Sequence, residues 1–197
     1  MKSAEIKNEL KMNYDELVYY LLKKYGAAKY DYFCNVKCRS RNPKNSRTSE
    51  GLYLHHIDED KAFQLSVDKL AGIQPYRYQK ADRLVYCNVL EHLILHIKII
   101  EESLKKEIDN RQMNGIGGAV SFIYPQINDY YNGYEFHQQY IKNIFNNIKE
   151  NYDDYINILR YFLNIVKDDS FYSILITKRN LSIGYDGQVI DKIYKNL

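Results

Sequence analysis

The chain contains no tryptophan, and proline, cysteine and glycine are sparse, at three, three and nine among 197 residues. So little proline and glycine, with no period to it, excludes collagen-like and low-complexity chains. A globular protein of this length buries enough surface to fold without covalent staples. The three cysteines, Cys34, Cys38 and Cys87, are an odd number, and Met1 to Lys11 is charged and mixed in sign with no apolar segment behind it. Both features argue for reduced thiols in a cytoplasm over a disulfide framework in an exported protein. No apolar run approaches the roughly 20 residues of a membrane span, so no membrane partner is expected. Excess charge is also scarce: 28 Lys+Arg against 25 Asp+Glu leaves +3. A balance so even does not by itself establish a polyanionic partner, because the field depends on where the charges lie. The abundant residues are Lys, Asn, Ile and 21 tyrosines, which coding bias in an AT-rich genome explains.

The pattern along the chain is mostly helical. Leu17, Val18, Leu21, Leu22 and Tyr25 recur at helical spacing from Tyr14 to Tyr25, with Asn13 as cap and Gly26 as stop. Tyr30 to Phe33 reads as strand-like, and Lys37 to Arg47 as a polar loop. Leu52 to Ile57 and Arg83 to Cys87 are short β-compatible runs separated by an excursion containing Gly72 and Pro75, and they suggest two strands of one small sheet. Asn88, with Glu91 three residues on, opens a helix predicted to run to about Ile108. The glycine-rich stretch from Asn110 to Gly118 is the best candidate boundary, dividing residues 1–110 from a mainly helical module at 119–197. Beyond it, Ile141, Ile144, Ile148, Tyr152, Tyr155, Leu159, Phe162 and Val166 describe one long amphipathic helix or two consecutive ones. The tail from Phe171 to Leu197 suggests a hairpin near Tyr185 to Gly187 and a short last helix. The expected class is α+β.

Four of the five histidines fall in two tight pairs, His55-His56 at the end of the first strand and His92/His96 on the helix after the second. Residues four apart share a helix face with Cβ atoms about 5–6 Å apart, so His92 and His96 can converge on one metal ion. Successive strand residues point to opposite faces, so His55 and His56 can take different jobs unless the strand ends or kinks there. One can complete the metal site while the other, unligated, accepts a proton from water. His137 has no partner in sequence and reads as a surface residue.

The segments "EGLYLHHIDED" and "DRLVYCNVLEHLILH" together resemble the HNH (His-Me finger, ββα-metal) endonucleases over Thr48 to Ile100, about a quarter of the chain. The resemblance implies a small ββα-metal finger embedded among helices, and hydrolysis of phosphodiester bonds in nucleic acid, with double-stranded DNA as the expected substrate. Carried over, it makes His56 the general base and His55, His92 and His96 the ligands of one divalent ion, Mg²⁺ or Mn²⁺ first, Zn²⁺ or Ni²⁺ otherwise. It also suggests a bacterial or phage-infected cell and a homodimer, since double-strand breaks often need two active sites.

The chain departs from the family pattern at the middle asparagine, where it has Asp82-Arg83. Asp82 could orient His56, and Arg83 could touch phosphate, or the two could form a surface pair. Asn88 sits at the helix start and reads as a cap. Arg39, Arg41, Lys44 and Arg47 precede the motif and could follow a nucleic-acid backbone, as could Lys178 and Arg179 more weakly. Asp58, Glu59 and Asp60 could bind the ion or tune His55, but most of them are expected to face solvent. Cys34 and Cys38 read as buried thiols or as half of a structural zinc site, and Cys87 as core. Two other readings stay open: a nucleic-acid-binding or protein-binding module that keeps the frame without turnover, and a structural zinc protein.

Overall fold

The first helices form where the sequence supplies caps. In the computed structural model, which describes residues 3–105, 115–131, 133–166, 193 and 195–197, α1 spans Ser3–Glu9 and α2 spans Tyr14–Tyr25. The Asn13 side chain accepts from the Glu16 amide, and the Glu16 carboxylate accepts from the Asn13 amide, each at 2.9 Å. This reciprocal box satisfies two of the amide groups that a helix start leaves unpaired. Gly26 ends the helix at φ 78, a value that suits a residue without Cβ, and its amide donates to the Leu22 carbonyl. Tyr14, Leu17, Val18 and Leu21 form the buried face.

Strand β1, Tyr53–His56, pairs antiparallel with β2, Leu84–Cys87, so that Tyr53 faces Cys87 and His56 faces Leu84. Two strands alone are marginal. Here α2 packs on β2, and every residue of β2 is buried. The connection between the strands carries a 3-10 turn at Ile57–Asp60, the short helix α3 at Asp68–Ala71, and two further 3-10 turns at Tyr76–Gln79 and Ala81–Arg83. Asn88 then caps α4, Val89–Lys105: its Oδ1 accepts from the Leu90 and Glu91 amides, and Glu91 accepts from the Asn88 amide at 2.7 Å.

Helix α5, Ile116–Gly118, runs through a π-helical turn, Ala119–Ile123, into α6, Tyr124–Tyr131, where the Tyr124 amide reaches back to the Ala119 carbonyl. Helices α7, Gln139–Asn146, and α8, Tyr152–Val166, follow as two separate elements. One apolar core joins α1 and α2 (Ile6, Leu17, Leu21), β2 (Val85, Cys87), α4 from Leu90 to Ile100, and the later helices (Phe145, Leu159, Phe162). The described residues are therefore mostly helical with one small antiparallel sheet.

Two local expectations differ from what is found. Tyr30 to Phe33 is not a strand; only Phe33 bridges, to Arg41, through the Cys34 amide on the Ser40 carbonyl and the Asn42 amide on the Tyr32 carbonyl, while the Tyr32 amide is taken by the Gln79 carbonyl outside that pair. Cys34 is exposed, although Cys38 and Cys87 are buried. The region from 106 to 114, which includes the predicted helix end near Ile108, lies outside the described residues. So do the suggested hairpin near Tyr185 to Gly187 and the pair Lys178 and Arg179.

Candidate metal centre

Strand β1 ends at His56, and the 3-10 turn that follows folds the acidic run Asp58 to Asp60 back toward both histidines. His55 turns toward α4, with its ring 5.2 Å from that of His92 and 5.1 Å from that of His96, centroid to centroid. His92 and His96 bring their Nε2 atoms to 3.2 Å of each other. Two nitrogens each bound about 2.0–2.1 Å from a common ion are separated by roughly 3.0–3.4 Å, so this spacing fits a shared cation. Ligand-capable atoms of all three residues lie within 4.8 Å of one another. Glu59 supplies a fourth donor, with Oε2 at 3.3 Å from His96 Nε2 and 3.9 Å from His55 Nδ1.

The orientation of His55 is fixed from outside the cluster. The Tyr14 hydroxyl donates to the Ile57 carbonyl at 2.9 Å and lies 3.0 Å from His55 Nε2. Its single hydrogen is committed to the carbonyl, so it can only accept from His55, which must then carry its proton on Nε2. That leaves the lone pair on Nδ1, which is buried and makes no hydrogen bond. Outer partners of this kind set the tautomer of metal-binding histidines.

His56 is held separately. Its Nε2 lies 2.8 Å from Gln79 Oε1, and Gln79 donates its Nε2 hydrogen to the Leu65 carbonyl at 3.1 Å. With the amide oriented in this way, His56 donates from Nε2 and keeps a free lone pair on Nδ1, which lies 3.8 Å from Glu59 Oε1. The Tyr32 ring packs against it at 4.3 Å.

Burial disfavours every charged form here. It holds His55 and His92 well below the usual histidine range, with the neighbouring imidazoles adding to the effect, and it lowers His96 and His56 to about 4. The same burial raises Glu59 to about 8. All four imidazoles therefore offer lone pairs at neutral pH, while the carboxyl beside them lacks a positive partner. A divalent cation would supply that partner and return Glu59 to its ionised form, so the chemistry of His55, His92, His96 and Glu59 fits a metal ion.

Glycine brings a second segment onto the site. A Cβ on Gly118 would lie 2.1 Å from Cε1 of His96, and one on Gly115, at φ 85, would lie 2.9 Å from the His96 carbonyl. The glycine-rich stretch is thus a close approach of backbone to His96. A cleft of about 420 Å³ opens there, reached by His92, His96, Glu59 and Arg41.

The remaining candidate residues are placed as follows. Asp82 is exposed, and Gln79 holds the position beside His56 that Asp82 was expected to take. Arg83 forks onto Asp58 through two 2.6 Å bonds, from Nε and Nη2. Burial opposes ionisation of Asp58, but this fork and Lys61 hold its carboxyl below the usual range. The acidic run therefore turns inward, with Asp58 buried and Glu59 and Asp60 half-buried, because the 3-10 turn places Asp58 opposite Arg83. Arg47 is tied to Glu50 and the Tyr25 carbonyl, and its guanidinium lies over Tyr86. Arg41 reaches the cleft, donating to the Ser66 carbonyl beside Tyr32, while Arg39 and Lys44 are exposed. His137 is exposed as well.

Sequence reasoning missed Tyr14, Gln79 and the two glycines. Only the glycines left a signal, as a cluster of residues able to admit a close neighbour. No protein-family model, curated protein or solved structure matches this chain.

Proposed function

We propose that this protein is a metal-dependent endonuclease of the HNH type, hydrolysing phosphodiester bonds in nucleic acid, with DNA as the expected polymer. The observation that carries the reading is the division of labour between adjacent histidines. His55 joins His92, His96 and Glu59 in one donor set, while His56 stands beside it with an unligated, unpartnered Nδ1. On this reading the antiparallel pair β1–β2 followed by α4 is the ββα frame of the resemblance.

In the reaction, His56 Nδ1 takes the proton of a water molecule. The water oxygen then bonds to phosphorus as the P–O3′ bond breaks, leaving a 5′-phosphate and a 3′-oxyanion that takes a proton from solvent water to become the 3′-hydroxyl. Gln79 holds the opposite edge of the imidazole so that Nδ1 stays presented. A divalent ion held by His55, His92, His96 and Glu59 would supply charge neutralisation on the phosphate and on the departing oxygen. Glu59, 3.8 Å from His56 Nδ1, is placed to favour the imidazolium that proton transfer creates.

The test is incubation of wild type and His56→Ala with plasmid DNA in Mg²⁺, Mn²⁺, Ni²⁺ or Zn²⁺, each with an EDTA control. Metal-dependent cutting by wild type, reduced at least about a hundredfold in the variant, is the expected result. Equal cutting by both proteins would remove His56 from the role of base. A second reading, a nucleic-acid-binding module without turnover, draws on the exposed Asp82 and the committed Arg83. Tight DNA association with no cutting in any of the four ions would establish it.

A further inference from the structure

The cleft over the metal centre is walled by rings. Among the described residues nine large hydrophobic side chains are notably exposed, and four of them, Phe63, Val67, Phe122 and Tyr140, line this one cleft. Phe122 and Tyr140 are each more than half exposed, at 54% and 51%. Deeper in the cleft, Tyr53 lies against the ring of His92 at 5.4 Å. Apolar surface gathered in this way marks a binding site.

The polar lining includes Glu59, His92 and His96 of the candidate metal centre. Gln64 and Gln126 bring amides, and Arg41, anchored to the Ser66 carbonyl, brings the cation among the described lining residues. A volume of about 420 Å³ falls within the range of small-molecule pockets and far below what a duplex would need. In an intact duplex the base faces are stacked inward and unavailable to these rings. An unstacked base, by contrast, offers two apolar faces to aromatic side chains and a polar edge to amides, and its flanking phosphate carries the charge that Arg41 and a metal centre attract.

We infer that this cleft takes one unstacked base of a single-stranded or looped nucleic acid and so brings the adjoining phosphodiester to the histidines. The inference deepens the nuclease reading and rests on it for the fate of that phosphodiester. It makes single strands and loops the preferred form of the expected nucleic-acid substrate.

The experiment measures binding apart from cutting. A fluorescein-labelled single-stranded oligodeoxynucleotide of mixed sequence and its duplex are titrated with wild type in EDTA and with His56→Ala in Mg²⁺. Tighter binding of the single strand is expected, weakened about fivefold or more by Phe122→Ala and unchanged by Tyr19→Ala, an exposed ring outside the cleft. Equal affinity for the duplex, or indifference to Phe122→Ala, overturns the inference even if plasmid is cut. Binding that depends on Phe122, with no cutting in any metal ion, leaves the cleft assignment standing and removes the hydrolytic one.

Discussion

The hydroxyl of Tyr14 lies 3.0 Å from Nε2 of His55, across 41 positions of sequence, and gives its own hydrogen to the Ile57 carbonyl. A residue at the first turn of α2 therefore decides which nitrogen of a strand histidine faces the candidate metal centre. Tyr14→Phe keeps the ring and the packing but releases that choice. Metal affinity, read by calorimetry with Mn²⁺ or Zn²⁺, is expected to fall roughly 10- to 100-fold with the helical circular dichroism intact. An unchanged affinity would show that Tyr14 is only core.

Gln79 acts on the other histidine. Gln79→Leu removes the bond to His56 Nε2 and the one to the Leu65 carbonyl, leaving His56 free to rotate or change tautomer. Cutting is expected to fall roughly tenfold or more, while metal affinity stays at the wild-type value. A matching loss of metal affinity would mean that Gln79 supports the whole cluster and not the base alone.

Gly118 and Gly117 are adjacent but face different neighbours. Alanine at 118 drives a methyl group into the His96 ring, whereas alanine at 117 meets only the edge of Phe63 at 3.2 Å. Gly118→Ala is expected to weaken metal binding by more than tenfold, since His96 must leave its position. Gly117→Ala should leave it nearly unchanged. Equal behaviour of the two variants in the same titration would place the His96 ring elsewhere in solution.

A separate pH dependence arises at the junction of α1, α2 and α4. Lys24 of α2 bonds Glu5 of α1 and Glu91 of α4, and its ammonium is 3.7 Å from Glu9. Glu9 is fully buried, and burial, with the Glu91 charge adding to it, raises its pKa to about 8. An acid raised on folding contributes stability below its unfolded value, near 4.5, and loses that contribution as pH climbs through about 8. Measured against Glu9→Gln, the melting temperature of wild type is expected to drop by several degrees between pH 5 and pH 9. In Glu9→Gln, which has no proton to lose there, that part of the slope should vanish. An identical slope in both would assign it to other groups.

Much of the frame was legible in the sequence because its signals are local. The Asn13 cap, the Asn88 capping box, Gly26 and the two apolar runs each act within a few residues, and α2, β1, β2 and the start of α4 fall where these signals put them. The His92/His96 pair was legible for the same reason, since an i, i+4 spacing on one helix face is local geometry. Gln79 and Tyr14 were not, because their partners come from separate elements and no spacing rule connects them. Glu59 lay within reach of the pattern, four residues after His55. Its inward turn depends on Arg83 neutralising Asp58 beside it, a pairing between distant positions.

Helix α4 is wrapped on nearly every side: Val89, Leu90, Leu93, Ile94, Leu95, Ile97, Ile99 and Ile100 are all buried, along with Glu91, His96 and Lys98. A free-standing metal finger would leave one flank of such a helix wet and polar. Here that flank is buried too, with Glu91 paired to Lys24 and Lys98 to Glu101 and the Leu10 carbonyl, so β1, β2 and α4 excised as a minimal peptide would bare a broad apolar surface and strip Glu91 of its partner. The metal centre is thus no portable cassette. Transplanting its histidines into another scaffold would require carrying over the helices that surround α4 as well.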